Sequence, residues 1–317
     1  MFLFFVIIVL LAVVLLSGEI FLRGALALGK KLKISPFILG STVVAIGTSS
    51  PDLFIASISS LKGFYDISVA ALIGSGIVNI LIGIGLASII GGVIYDKTEK
   101  ALHFGMCYNT IFTIALIIGL ILTKGRIGVI FSIFLILAAV IFLFLNIWVF
   151  SEVEEVTVSE KENVIISCLF FLGGLVALAF FSDLLLKYVI QVSDLYSVPK
   201  KVIASSVVGF GNSLPEIITC IVAALKKRSR VIIGNIVGSN IFILGGLLGT
   251  VGLISNLQLN ENVVVILPIL ALDIPFLLLS TLAFFIIFKI KSRFGLITGL
   301  LFIFIYLFYT LLQLNII

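Results

Sequence analysis

Uninterrupted apolar stretches dominate this chain, and they restrict its fold more than any other feature of the sequence. Each stretch is about 20 residues or longer, the length at which a helix crosses a ~30 Å hydrocarbon core. Lipid offers no hydrogen-bonding partner, so each stretch must satisfy its own backbone groups as a helix, and the alternating pattern of an outer-membrane barrel is absent. We therefore predict an all-α integral membrane protein with ten transmembrane helices. They are expected near 2–25, 36–60, 67–93, 101–123, 127–150, 164–186, 200–225, 231–255, 263–288 and 295–315.

Composition and charge agree with a membrane protein and indicate its orientation. The 317-residue chain is 62% hydrophobic and only 11% charged, whereas soluble domains average about 25% charged residues. Its Lys and Arg residues lie in short loops beside the apolar stretches, which indicates membrane topology rather than a nucleic-acid partner. The loops of one side, together with Arg23 near the end of the first span, hold 14 of the 20 basic residues, so the positive-inside rule places that side in the cytoplasm. We expect a multi-pass cell-membrane protein with both termini outside, and the oligomeric state stays open, a monomer included.

The chain repeats itself at an offset of 164 residues. GSTVVAIGTSSPD (40–52) aligns with ASSVVGFGNSLPE (204–216), and IGSGIVNI (73–80) aligns with VGSNIFIL (237–244), without a gap in between. Each half holds five predicted spans, and an odd number forces the second half to enter the membrane in the opposite orientation. Inverted repeats with Gly- or Pro-interrupted helices are typical of secondary transporters, whose sites lie near the midplane between the halves.

The predicted domain organisation follows from this repeat. We assign 1–150 to the first five-helix repeat, 151–163 to an acidic cytoplasmic linker, and 164–317 to the second, inverted five-helix repeat. The glutamates of the linker could sense Ca²⁺, but charged loops are usually solvated connectors, and we favour that interpretation.

Two carboxylates lie in the middle of apolar stretches, and they are the strongest functional candidates. A charge at the centre of a membrane helix costs about 2.5–3.5 kcal/mol, so an intramembrane acid such as Asp52 or Glu216 is a functional residue by default. Pro51 and Pro215 directly precede these acids. Because proline cannot donate a hydrogen bond to the preceding turn, predicted helices 2 and 7 are expected to be broken there.

The residues around these acids offer oxygen ligands for a cation. The helix breaks are expected to free carbonyl groups near Ala45 and Gly209. Further side-chain oxygens are offered by Thr48, Ser49, Ser75, Asn79, Asn212, Ser213 and Ser239. Such a set can supply the six to eight oxygens at about 2.3–2.6 Å that Ca²⁺ prefers, and the lack of soft ligands argues against copper or thiolate-bound zinc. For Ser75 and Ser239, simple packing between helices is the alternative role.

At these motifs the sequence resembles the cation/calcium antiporter superfamily, and within it the prokaryotic members of the sodium/calcium exchanger branch. GTSSPD and GNSLPE look like the two α-repeat signatures of that family, and IGSGIVN and VGSNIF look like their second parts. The resemblance spans essentially the whole chain. It implies ten helices, exchange of Ca²⁺ for Na⁺, and alternating access by sliding of spans 1 and 6 across the core.

The resemblance also implies roles for individual residues. Asp52 and Glu216 would be the central Ca²⁺ ligands, and Thr48 and Asn212 would assist them. The neighbouring Na⁺ positions would be served by Ala45, Ser49, Ser75, Asn79, Gly209, Ser213 and Ser239. The transported Ca²⁺ and Na⁺ are then the bound species, and no cofactor is expected.

Three positions depart from the family pattern. Asp52 stands where Glu is usual, and Asn212 stands where Thr is usual. Ile243 aligns with Asn79, at a position where the family has Asn or Asp. Because Asp there is typical of the potassium-dependent branch, Ile243 argues against K⁺ co-transport and leaves the Na⁺ stoichiometry open. A GNAxE-like signature of the proton/calcium branch is matched only at Gly211-Asn212, which keeps H⁺ coupling as an alternative.

Other function classes receive less support from the sequence. A transport-inactive protein that binds cations for sensing or structure is an alternative motivated by Ile243, and exchange of another divalent cation is a near variant. An intramembrane hydrolase lacks a His-based dyad and an HExxH motif, so no enzymatic activity is expected. No GxxxxGK[ST] loop is present, so the driving energy must come from an ion gradient rather than a nucleotide. A third intramembrane acid, Asp273, could serve ion access, but anchoring to a neighbouring helix is the favoured role.

Overall fold

The computed structural model describes residues 2–149, 164–195, 209–259, 263–265 and 269–316. Within these ranges, eight helices are long and apolar enough to cross a membrane, and the bent pair Pro36–Thr48 and Ser50–Leu61 makes up to nine. Leu214–Leu225 is a shorter apolar helix, and the predicted start of its span lies outside the described residues. The multi-helical membrane fold is therefore confirmed, whereas the number ten stays a prediction. The linker predicted at 151–163 also lies outside the described residues.

Fifteen helical segments and four short strands occupy the described ranges. The helices are α1 (Phe2–Lys31), α2 (Pro36–Leu39), α3 (Ala45–Thr48), α4 (Ser50–Leu61), α5 (Tyr65–Val78), α6 (Gly85–Ile90), α7 (Lys100–Leu122), α8 (Val129–Trp148), α9 (Val164–Leu195), α10 (Gly209–Asn212), α11 (Leu214–Leu225), α12 (Ser229–Ile241), α13 (Leu248–Leu259), α14 (Ile274–Ile290) and α15 (Leu296–Ile316). Wider π-helical turns lie at Gly40–Val44, Asn79–Ile84, Phe242–Leu247 and Ile269–Asp273. The strands are β1 (Val93–Ile94), β2 (Arg126–Ile127), β3 (Val263–Val264) and β4 (Arg293–Phe294).

Four strands of two residues each accompany the helices and leave the predicted all-α fold class unchanged. β1 pairs antiparallel with β4, and β2 pairs antiparallel with β3, each over two residues. The two pairs flank α7, so one pair joins loops at each end of that helix. The hydroxyl of Tyr95 donates to the carbonyl of Lys291 at 2.8 Å and strengthens the first junction. Loops of distant spans are thereby tied together at both ends of the bundle.

Two helix breaks occur where proline was expected to produce them. Ser49 separates α3 from α4 with φ −89° and ψ 2°, and Ser213 separates α10 from α11 with φ −87° and ψ 5°. In both cases proline is the second residue of the following helix, a position where a missing N–H costs no intrahelical bond. The acid follows proline directly, so Asp52 and Glu216 each lie in the first turn of a new helix. Each acid is thus placed at the positive end of a helix dipole.

α12 forms the centre of the molecule. All residues from Val231 to Ile241 are buried, and the helix packs against α2 and the π-helical turn Gly40–Val44. Glycine makes this contact possible, because a Cβ on Gly238 would collide with the backbone of Ser41, and one on Gly234 with the carbonyl of Phe37. The first broken helix of one half therefore rests on a helix of the other half at backbone distance.

α1 and α9 form a separate layer at the lipid surface. The two helices pack along each other, and both expose large apolar side chains such as Ile8, Leu16 and Leu169. Their closest approach depends on Gly24, which faces the backbone of Phe171, and on Gly174, which faces the backbone of α1. The remaining helices contain most of the buried residues, so the fold consists of a compact core and a two-helix layer beside it.

Gly238→Ala is expected to destabilise the protein, because its methyl group must displace backbone atoms of the Gly40–Val44 turn. Overpacking of this kind typically costs about 1–3 kcal/mol. The matched control is Gly74→Ala, at the equivalent position of the first half, where a Cβ has nothing within 4 Å. Thermal unfolding in detergent should show a lower midpoint for Gly238→Ala alone, and equal midpoints would contradict the close contact.

Candidate cation-binding site

The two broken helices meet at their breaks. The hydroxyl of Ser49, at the break of the first half, donates to Oε1 of Glu216, in the second half, at 2.6 Å. Glu216 is fully buried and Asp52 is 7% exposed. The two carboxyl groups are close enough to interact electrostatically. The structure thus brings together the two acids that the sequence selected from opposite halves of the chain.

Several buried oxygen atoms of the predicted ligands have no hydrogen-bond partner among the described residues. They are Oδ2 of Asp52, Oε2 of Glu216, Oγ of Ser213, Oγ of Ser239 and Oδ1 of Asn79. A buried polar atom without a partner costs roughly 1–3 kcal/mol, so several of them in one region require a physical explanation. All five belong to residues expected to bind a cation, and such oxygens are the ligands that Na⁺ and Ca²⁺ prefer.

The remaining predicted ligands differ in their burial. Thr48, directly before the break at Ser49, and Ser75 are both buried, at 1% exposure. Asn212 is half-buried at the end of α10, and Gly209 begins that helix. No pair of these atoms defines a coordination geometry, so their role as ligands stays a prediction.

The carbonyl of Ala45, one of the expected ligands, already accepts hydrogen bonds within its own helix. The carbonyl of Ala45 accepts the backbone N–H of Ser49 at 3.1 Å and the hydroxyl of Thr48 at 3.3 Å. The expectation that the break frees this carbonyl is wrong for this conformation, because α3 continues its hydrogen bonding as far as Ser49. The break at Ser49 therefore does not free the Ala45 carbonyl.

A second contact between the halves joins α5 and the π-helical turn that follows it to α12. The amide nitrogen of Asn79 donates to Oδ1 of Asn240 at 3.2 Å, and the amide nitrogen of Asn240 donates to the carbonyl of Gly76 at 3.2 Å. These bonds orient the Asn79 amide so that its oxygen stays unpaired. Asn240 was not among the predicted ligands. The sequence did indicate Asn240 as a polar residue of the VGSNIF motif, aligned with Gly76. Its contact with Asn79 is evident only from the structure.

Ile243 is fully buried and contributes no oxygen to the site. Asn79 therefore has no polar counterpart at the equivalent position of the second half, and Asn240 instead contacts it from one turn earlier. The two halves of the site are consequently unequal in ligands although both contain a helix break followed by an acid.

Further buried polar atoms lie on α11 and α12. Oγ1 of Thr219 and Oδ1 of Asn235 have no partner among the described residues, and the Asn235 amide donates weakly to Sγ of Cys220 at 3.6 Å. Sequence reasoning did not single out Thr219 or Asn235, because a threonine or an asparagine in an apolar span is common between packed helices.

The described residues contain no group of three or more His, Cys, Asp or Glu side chains that could hold a metal ion. The site instead combines two carboxylates with neutral oxygens. Such a low charge density is what a protein that releases its cation requires, since tighter sites need more charged ligands. Two carboxylates with neutral oxygens around them can bind a hard cation reversibly.

Asp273 lies outside this site. Its Oδ1 accepts the hydroxyl of Tyr309 at 2.9 Å and the amide of Gln313 at 3.3 Å, both on α15. These bonds join the start of α14 to α15 and support the interpretation of Asp273 as a helix anchor.

Comparisons with known proteins agree with this architecture. The sodium/calcium exchanger protein family matches residues 2–148 and 166–315, nearly the whole chain. Among curated proteins, the uncharacterized membrane protein MJ0091 of Methanocaldococcus jannaschii is 28% identical, over 81% of this chain and 83% of its own length. The sodium/calcium exchanger MaX1 of Methanosarcina acetivorans is 25% identical, over 81% of this chain and 85% of its own.

Solved structures show the same overall arrangement. The sodium-calcium exchanger NCX_Mj, soaked with 2.5 mM Na⁺ and 10 mM Sr²⁺, superimposes with a TM-score of 0.80 at 25% identity and covers 94% of both chains. The same exchanger soaked with 2.5 mM Na⁺ and 0.1 mM Ca²⁺ gives a TM-score of 0.79 at 25% identity. The fold, the paired acids at two helix breaks and the family match lead to one conclusion: this chain belongs to the sodium/calcium exchanger protein family.

Proposed function

We propose that the protein is a secondary active antiporter that exchanges Ca²⁺ for Na⁺ across the cell membrane by alternating access. The observation that carries this proposal is the meeting of Asp52 and Glu216 at the two helix breaks, surrounded by buried oxygens without hydrogen-bond partners. Family membership and the NCX_Mj structures soaked with Na⁺ and Sr²⁺ or Ca²⁺ support these ions as substrates.

Competition for one pair of carboxylates provides the coupling. Two buried negative charges repel each other and are costly without a counter-charge. One Ca²⁺ or a set of monovalent cations neutralises both, so occupancy by one excludes the other. Because an unloaded pair is costly within the membrane, the loaded forms are the ones suited to cross between the two sides.

The neutral ligands tune which ion fits. Asp52 is one methylene shorter than Glu, so its carboxylate is retracted from the centre of the site, whereas Glu216 reaches Ser49 of the opposite half. The asymmetry at Asn79 and Ile243 removes one oxygen from the second half. We propose that this half binds fewer monovalent cations than the first and that K⁺ is not co-transported.

Two alternatives remain for the same site. Protons could replace Na⁺ as the counter-ion, because protonation also neutralises a buried carboxylate, and another divalent cation could replace Ca²⁺. A transport-inactive cation-binding protein is favoured by one observation, the loss of a polar ligand at Ile243. These alternatives predict different responses to ion gradients and are separated by one experiment.

Radioactive Ca²⁺ uptake into proteoliposomes distinguishes the alternatives. Liposomes preloaded with Na⁺ should accumulate Ca²⁺ when diluted into Na⁺-free buffer, and choline-loaded liposomes should not. Uptake driven by a pH gradient in choline-loaded vesicles would assign the protein to proton coupling. Absence of uptake under both gradients, with Ca²⁺ binding retained, would support the transport-inactive alternative and refute exchange.

Asp52→Asn and Glu216→Gln should each reduce Na⁺-dependent Ca²⁺ uptake more than tenfold, because a single carboxylate cannot neutralise a divalent cation in the membrane. Both substitutions keep the size of the side chain, so the helical fold should persist. The control is Asp183→Asn, an exposed acid on α9 that pairs with Lys187 at 2.6 Å. Normal uptake in either site variant would disprove the assignment of the acids.

Ile243→Asp should change the monovalent dependence of uptake, since it restores an oxygen ligand opposite Asn79. The expected result is a shift in the Na⁺ concentration for half-maximal exchange or the appearance of stimulation by K⁺. Ile243→Leu, which adds no polar atom, is the control for altered packing. If the Na⁺ and K⁺ responses of Ile243→Asp equal those of the control, this side chain does not face the ions.

A further inference from the structure

A cavity of about 580 Å³ lies between α1 and the start of the first broken helix, away from the cation-binding site. Four basic side chains line it, namely Arg23, Lys30, Lys226 and Arg228. Lys226 directly follows α11, whose first turn holds Glu216. With 1.5 Å rise per residue, the two ends of that helix are about 15 Å apart, so the cavity and the acids are separate sites.

The charge of this basic cavity is poorly compensated. Nζ of Lys226 lies 2.7 Å from Oε1 of Glu19, and the guanidinium of Arg23 lies 4.0 Å from the same oxygen. Within the described residues, Glu19 is the only acid that pairs with the four cations. Lys30 and Arg228 form no ion pair with any described residue. A net positive charge close to three therefore surrounds the space, which suits a ligand that carries negative charge.

The internal repeat shows that this charge does not follow from the fold alone. At the offset of 164 residues, the four equivalent positions carry fewer basic residues. Those of Arg23, Lys30, Lys226 and Arg228 are occupied by Lys187, Asp194, Lys62 and Phe64, in that order. Two of these four cations are thus replaced by an acid and an aromatic residue, so the fold does not require basic side chains at all four positions.

The surroundings of the basic cavity are apolar and border the membrane. Leu26, Ile34 and Leu39 line its wall beside the cations. The outer surface of α1 exposes Leu16 and Ile20, at 60% and 44%. A ligand that fits both features has an anionic head and a long apolar body. Basic pockets between transmembrane helices on the cytoplasmic side bind anionic lipid headgroups in this manner.

We propose that the basic cavity binds the phosphate headgroup of an anionic phospholipid whose acyl chains lie along the exposed apolar face of α1. Arginine guanidinium and lysine ammonium groups form charge-assisted hydrogen bonds with phosphate oxygens. The headgroup competes with Glu19 for Lys226. Because Glu19 belongs to α1 and Lys226 follows α11 of the core, the lipid weakens an ionic link between the outer layer and the core.

Native mass spectrometry of the full chain in detergent tests this proposal with phosphatidylglycerol and phosphatidylcholine as probes. The unmodified protein should retain phosphatidylglycerol at least tenfold more strongly than phosphatidylcholine. The double variant Lys30→Gln/Arg228→Gln should abolish that preference, because two charges at about fivefold each correspond to about 25-fold. The matched control, Lys62→Gln/Lys187→Gln, removes two basic side chains from the opposite end and should keep the preference.

Each other outcome overturns the proposal in a defined way. Equal retention of both lipids by the unmodified protein shows that no anionic lipid site exists. Equal losses in the site variant and the control show diffuse attraction rather than a site. Displacement of phosphatidylglycerol by millimolar inorganic phosphate shows a free-anion site instead. Arg228→Lys, which keeps the charge, should retain binding, and loss of lipid in this variant with an unchanged melting temperature contradicts the charge-based argument.

Discussion

The hydrogen bond from Ser49 to Glu216 depends on the burial of two helix breaks inside a membrane protein. It joins the breaks from opposite halves of the chain, in a region where every polar atom without a partner is costly to bury. A break in a membrane helix is tolerated only where neighbouring helices or a cavity receive its polar groups. The glycine contacts of α12 with the Gly40–Val44 turn meet this condition, because they bring the second half to backbone distance of the first broken helix. The meeting of the two breaks thus depends on close helix contacts at glycines that are not themselves predicted ligands.

Much of the architecture could be predicted from local sequence. Apolar length indicated the membrane helices, and Pro51 and Pro215 indicated the two breaks and the acids that follow them. The repeat offset paired Asp52 with Glu216, and each of these acids lies in the first turn after a helix break. The helix ends were less well predicted. α1 continues to Lys31 and α9 to Leu195, since a helix does not end where its apolar stretch ends.

Other features could not be predicted, because they arise from contacts between distant residues. The strands β1 to β4 contain two residues each, too few to produce an alternating pattern. Glu19 has Arg23 four residues away as an evident partner, yet its shorter ion pair is with Lys226 of the core. Asn79 cannot pair with a polar side chain at position 243, because Ile stands there, and it contacts Asn240 instead. The alignment showed that the polar residue at position 243 is absent, but it did not show that Asn240 takes over the contact.

The glycines at the crossing of α1 and α9 have a consequence for the leakage of ions across the membrane. At Gly24 and Gly174 the two helices touch through their backbones, so neither can shift far without the other. If ion exchange proceeds by displacement of this layer relative to the core, the two helices must move as one rigid body. A rigid pair that slides to uncover the site from one side would then cover it from the other. Reciprocal opening would then be a mechanical property of the helix pair, and dissipation of the ion gradient through an open pore would be prevented without a dedicated gate.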